Sequence, residues 1–146
     1  MLIIRPEQFE AFQPVAEAAF VRRIVELLRE ENGEAVVQLP NEIVLVRQLS
    51  DGRLYPIVRA GIARARKYGM DWESSITPFI VLMFVVAPNF DGHPLIQRIL
   101  NDEKVDANSR VDELWERTSD DNWDAARKNY DPAAWELSTE GISSEG

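Results

Sequence analysis

Apolar residues from Pro6 to Glu31 recur at three- and four-residue steps: Phe9, Phe12, Ala16, Ala19, Phe20, Ile24, Leu27 and Leu28. That spacing collects them on one stripe and predicts an amphipathic helix. Pro6 suits a first helical turn, and Glu7 and Glu10 favour a helix N-terminus. Pro14 lies inside the run and predicts either a kink or a split near Gln13. "ENG" at 31–33 stops the helix, with Gly33 as its C-terminal cap. A second helix runs from Ser50–Asp51 to Tyr68, capped by Gly69. Leu54, Val58, Ile62 and Ala65 share one face of it, and Arg59, Ala63, Arg66 and Lys67 share the other. Between the two helices, residues 34–50 read both ways. Val36, Val37, Ile43, Val44 and Val46 have strand propensity. Asn41 after Pro40 is a reasonable N-cap, with Ile43, Val46 and Leu49 on one helical face. A short helix is the favoured reading and a small hairpin the alternative.

"ITPFIVLMFVVAPNFDGHP", residues 76–94, is the most apolar stretch. About a dozen mostly apolar residues fall short of the ~20 that cross a bilayer, and Pro88, Asn89 and Asp91 close the run. The expectation is a helix buried on most sides, with an N-cap at Asp71 or Ser74–Ser75 and Ile80, Leu82, Met83 and Phe84 in the core. Shorter helices follow: "PLIQRILNDE" from Pro94, "SRVDELWERT" with Ser109 as cap, "NWDAARKNY" from Asp121 or Asn122, and one turn at "DPAAWEL". The pattern predicts an all-α, single-domain bundle of about six to seven helices around a central apolar helix at 76–86. The domain spans 1–137, and "STEGISSEG" at 138–146 reads as a frayed tail.

Charge changes the picture along the chain. The net charge is −9. Residues 1–100 carry 12 acids against 11 bases, whereas residues 101–146 carry 13 acids against 5 bases. Nucleic-acid binding requires a positive surface, so this balance argues against it. There is no cysteine, which removes disulfides and thiolate chemistry and fits a reducing cytoplasm. The N-terminal "MLIIRPEQFEAF" lacks the long apolar run of a secretory signal.

Candidate chemistry is sparse. His93, the one histidine, sits two residues from Asp91, a spacing that could orient a general base. No nucleophile-elbow pattern accompanies it, and one histidine does not make a metal site. The blander reading is an Asp-Gly turn with His93–Pro94 opening the next helix. Arg59, Arg64, Arg66 and Lys67 form the one basic group, which could grip a phosphate or an acidic partner but is read as a solvated helix face that could meet the chain's own acidic helices. No glycine-rich phosphate loop is present, and no cofactor is expected. Trp115, Trp123 and Trp135 lie in the acidic third, interleaved with charge, where full burial is hard to arrange. With Asp120, Asp121 and Asp124 they make the expected partner-binding residues, because aromatic anchors and a complementary field together favour association.

"VRAGIARARKYG" followed by "ESSITPFIVLMFVVAPNFDGHPLIQRIL" resembles small helical proteins of proteobacteria encoded beside type VI secretion effectors and spike proteins. The resemblance rests on Gly61, Ile62, Arg64, Ala65, Tyr68 and Gly69, then Leu82, Met83 and Phe84, then Phe90, Asp91 and Pro94. It leaves out 34–50 and the acidic third. It implies an accessory role: an immunity protein, or a chaperone or adaptor for a secreted toxin, with no catalytic residues carried over. The expected function is therefore a non-enzymatic, cytoplasmic binding protein whose partner is a protein effector or toxin. The competing readings are a helical domain that self-associates as a homodimer and an enzyme centred on His93 and Asp91.

Overall fold

A computed structural model describes the backbone of residues 6–135 and the side chains of residues 17–135. The expected tail at 138–146, and the domain boundary beside it, lie outside the described residues. Six α-helices, one β-hairpin and three short 3-10 turns make up the described chain, and a further helix opens at residues 133–135. The fold is mostly α, as the periodicity predicts.

Helix α1, Pro6–Asn32, is one unbroken helix through Pro14, so the split near Gln13 does not occur. Phe20, Val21, Ile24, Val25 and Leu28 are its buried stripe. Gly33 follows it without a left-handed φ. A Cβ there would lie 2.7 Å from the Arg29 carbonyl oxygen, and this close approach explains the glycine. Helix α2, Asp51–Lys67, buries Leu54, Ile57, Val58, Ile62 and Ala65. Gly69, at φ +97°, then reverses the chain in a conformation that glycine adopts without strain.

Helix α3, Glu73–Val85, is the centre of the core. Ile76, Phe79, Ile80, Leu82, Met83 and Phe84 are all buried. It packs on α1 and α2, tightly at Gly61, where a Cβ would come within 3.0 Å of Met83 Sδ and 3.1 Å of Ile80 Cγ1. The helix begins earlier than the apolar run, with Trp72 and not Asp71 or Ser74–Ser75 at its N-cap, so Pro78 falls in its second turn.

The favoured helix at 34–50 is not formed. Strand β1, Val36–Leu39, pairs antiparallel with β2, Glu42–Leu45, in the register Val36 to Leu45 and Val37 to Val44. Pro40 and Asn41 are the two turn residues, and Val46–Gln48 makes a 3-10 turn. The β-branched residues decide the conformation here: Val37 and Val46 point into the core while Ile43 is 70 % exposed. Ile43 therefore does not share a buried face with Val46 and Leu49.

The second half of the chain folds onto α3 as α4, Pro94–Leu100, α5, Arg110–Arg117, and α6, Asp120–Lys128. No helix among the described residues is long and apolar enough to cross a membrane.

Candidate protein-binding face

Asp91 does not orient His93. Its carboxylate is buried and accepts a hydrogen bond from the Tyr68 hydroxyl at 2.8 Å, while Arg64 pairs with its other oxygen at 3.1 Å. Arg64 also donates to the Pro88 carbonyl and lies 5.7 Å over the Phe79 ring. Burial, followed by the Asp91 charge, pushes the Tyr68 hydroxyl above its usual pKa, which keeps it protonated and donating. His93 is the N-cap of α4, its Nδ1 accepting the Leu95 N–H at 3.2 Å. The Asp-Gly turn reading holds for the backbone, and the carboxylate serves as a junction between α2 and the turn after α3.

The basic group is likewise divided. Arg64 turns inward to Asp91, and Arg66 pairs with Glu17 of α1. Arg59 and Lys67 remain exposed without an ion pair among the described residues. Neither of these ion pairs is with the acidic C-terminal helices. No group of three or more His, Asp or Glu among the described residues is placed to hold a metal ion.

Helix α5 is held by its first residue. Arg110 donates to the carbonyls of Tyr68 at 2.7 Å, Leu100 at 3.1 Å and Val105 at 3.1 Å, satisfying groups left over where α2 and α4 end. Asn108 just before it accepts the backbone N–H groups of Asp71 and Trp72, and Ser75 donates to the Asn108 carbonyl. Val111 and Leu114 then point into the core. Asp112, Trp115 and Glu116 point out. Arg117 ties the far end to Asp102 at 2.9 Å. The Lys104 backbone N–H and then Arg117 hold the Asp102 carboxyl below the ordinary range.

Two residues, Thr118 and Ser119, turn the chain into α6. Helix α6 starts at Asp120, ahead of the expected Asp121 or Asn122, with Ser119 as its N-cap, and Ser119 and Asn122 bond each other reciprocally as a capping box. Ala126 is buried, and Tyr130 beyond the helix accepts the Gln38 N–H at 2.9 Å and the Trp135 indole N–H at 2.8 Å. Burial raises the Tyr130 pKa as well.

These anchors set Trp115 beside Trp123, with ring centroids 5.5 Å apart and planes tilted by 33°. Trp123 is half-buried, whereas Trp115 is 57 % exposed. Asp112, Glu116, Asp120 and Asp121 around them are exposed and form no ion pair among the described residues. Asp124 pairs with Arg127 at 3.2 Å. Two of the expected anchors thus come together, and the third does not. Trp135 is 1 % exposed and packs on Phe84 at 4.9 Å, because its position after the Tyr130 turn carries it into the core. Trp135 is a core residue and does not present itself to a partner. Trp72, at the N-cap of α3, is 59 % exposed and stacks on no aromatic ring among the described residues. No family model, no curated protein and no solved structure matches this chain.

Proposed function

We propose that this is a non-enzymatic, cytoplasmic accessory protein that binds a secreted effector or toxin in the producing cell, as an immunity protein or as a chaperone or adaptor of a type VI-like system. The α5–α6 face is its docking surface, with Trp115 and Trp123 as anchors and Asp120, Asp121 and Asp124 supplying the field. The exposure of Trp115 carries the reading. An indole stacked on a second indole at the surface is a large rigid apolar area, and such residues dominate association energies. The acids alone are weaker support, because Asp112, Glu113, Asp120 and Asp121 lie in the first turns of α5 and α6, where they also complement the helix dipoles. A basic effector would be drawn to this surface and repelled by little else on it.

Co-purification from the native host, followed by mass spectrometry, tests the reading with wild type and Trp115→Ala side by side. The expected result is a stoichiometric secreted protein that the variant fails to retain. Equal recovery with both proteins would place the docking surface elsewhere. Self-association is the second reading, favoured by exposed Ile43 on the outer strand of a two-stranded sheet. A protein that sediments as a dimer and loses that state in Ile43→Lys would establish it.

A further inference from the structure

Asp112 and Trp115 lie three residues apart on α5, and Asp120 and Trp123 lie three residues apart on α6. That spacing sets each carboxylate beside its indole on one helical face. The two faces meet, since the indoles touch. The chain's own arginines show how it handles such surfaces. Arg23 lies 5.9 Å over Phe20 and Arg64 5.7 Å over Phe79. No arginine or lysine among the described residues lies over Trp115 or Trp123, although indoles are the strongest cation acceptors of the aromatic side chains. The neighbouring bases are committed elsewhere: Arg117 to Asp102 and Glu113, Arg127 to Asp124.

We propose that the Trp115–Trp123 pair receives a cationic side chain, arginine in preference to lysine, from a basic segment of a partner protein. The guanidinium stacks on the outer indole while Asp112 and Asp120 accept its N–H groups. Arginine is preferred because its planar group stacks and donates in a fork at once, whereas an ammonium is a compact and strongly hydrated charge. This inference rests on the docking face described above and adds the chemistry that the face selects.

The test uses the full chain labelled with 15N, whose four indole N–H signals are assigned by single Trp→Phe variants. The probes are acetylated, amidated hexa-arginine, hexa-lysine and hexa-citrulline peptides. Hexa-arginine should shift the Trp115 and Trp123 signals saturably and leave Trp72 and Trp135 in place. Hexa-lysine should bind more weakly, and hexa-citrulline should leave all four signals unmoved. Trp115→Ala should weaken hexa-arginine binding at least about fivefold, within the range of an exposed to partly desolvated cation–π contact. Asp112→Asn with Asp120→Asn should weaken it further while the amide spectrum stays folded. Hexa-arginine binding within twofold of wild type in Trp115→Ala would reduce the effect to diffuse attraction by the net charge and overturn the proposal. If hexa-citrulline shifts the same two indoles as strongly as hexa-arginine, the proposal also falls. A native partner that still requires Trp115 would then leave the docking face standing without its cation selectivity.

Discussion

Charged and aromatic side chains meet at two places in this molecule, and they meet differently. At the α2 junction Asp91 is buried, both its oxygens are engaged, and its arginine lies over Phe79. On the α5–α6 face Asp112, Glu116, Asp120 and Asp121 stand in solvent beside Trp115 and Trp123, and no base among the described residues pairs with them. The junction is a closed set. Both oxygens of the buried carboxylate are engaged within the fold, and removing one member leaves another stranded in a poorly solvated place. The face is an open set, in which any member can be removed without stranding another. Groups of the same chemical types therefore stabilise in one place and remain available for recognition in the other.

The largest effect expected on the closed side is in the core that carries it. Phe84 is buried against Trp135, so Phe84→Ala should cost about 3–5 kcal/mol in denaturant melts. A loss below about 1 kcal/mol would make α3 peripheral. Asp91→Ala comes next. Breaking a buried pair costs about 3–5 kcal/mol, and the Arg64 side chain retains 23 % exposure, which brings the expectation to the lower end of that range. Replacing Arg64 and Asp91 together should cost less than the sum of the single changes, because neither partner is then left alone.

Smaller effects separate the hydroxyl and the histidine from the ion pair. Tyr68→Phe removes one hydrogen bond to Asp91 and should cost about 1–2 kcal/mol at neutral pH. The folded pKa of Tyr68 is raised, so its contribution is fully present below the ordinary value of 10.0 and is lost as pH rises above it. The variant should show a shallower alkaline loss of stability than wild type, with a remainder from Tyr130, which is shifted in the same direction. Identical alkaline slopes would mean that burial and the Asp91 charge do not raise the Tyr68 pKa. His93→Ala removes one helix cap and should cost about 0.5–1 kcal/mol with partner binding unchanged within a few-fold. Complete loss of function at an unchanged melting temperature would restore the enzyme reading.

The long helices and the burial of α3 are legible because periodicity over many residues averages out single exceptions. The hairpin is not. Asn41 serves as well in a turn as in a cap, and only the core contacts of Val37 and Val46 choose between them. The junction is half legible: "GIARARKYG" and "FDGHP" hold Arg64, Tyr68 and Asp91, yet Arg64 sits among bases that do face solvent. What turns it inward is a carboxylate 27 positions away, and spacing along one helix carries no trace of that. The tryptophans show the same limit. Trp115, Trp123 and Trp135 have acidic neighbours in sequence, but whether an indole packs or protrudes depends on which neighbouring residues the tertiary fold anchors. For Trp135 the Tyr130 hydroxyl and Phe84 decide it, and for Trp115 the burial of Val111 and Leu114, which fixes the rotation of α5, does.

The smallest expected stability change is the one that isolates the open side. Trp115→Ala should shift unfolding by no more than about 0.5 kcal/mol, since the indole is exposed and stacks on the half-buried Trp123. Its effect belongs in association instead. With the partner in hand, the on-rate should fall as salt rises from low to physiological strength, where the screening length shortens to about 8 Å. Reversing Asp120, Asp121 and Asp124 together should slow it further. The fold should survive that change, because Ser119 and Asn122 still cap α6 and the Asp124–Arg127 pair is exposed and contributes little. Trp115→Ala should act mainly on the off-rate, as an anchor does once the encounter has been made. The two kinds of variant thus divide the open site into a field that steers and a surface that holds. An on-rate indifferent to both salt and charge reversal would break the comparison, and the exposed Arg59–Lys67 side of α2, not α5 and α6, would then be the face that meets the partner.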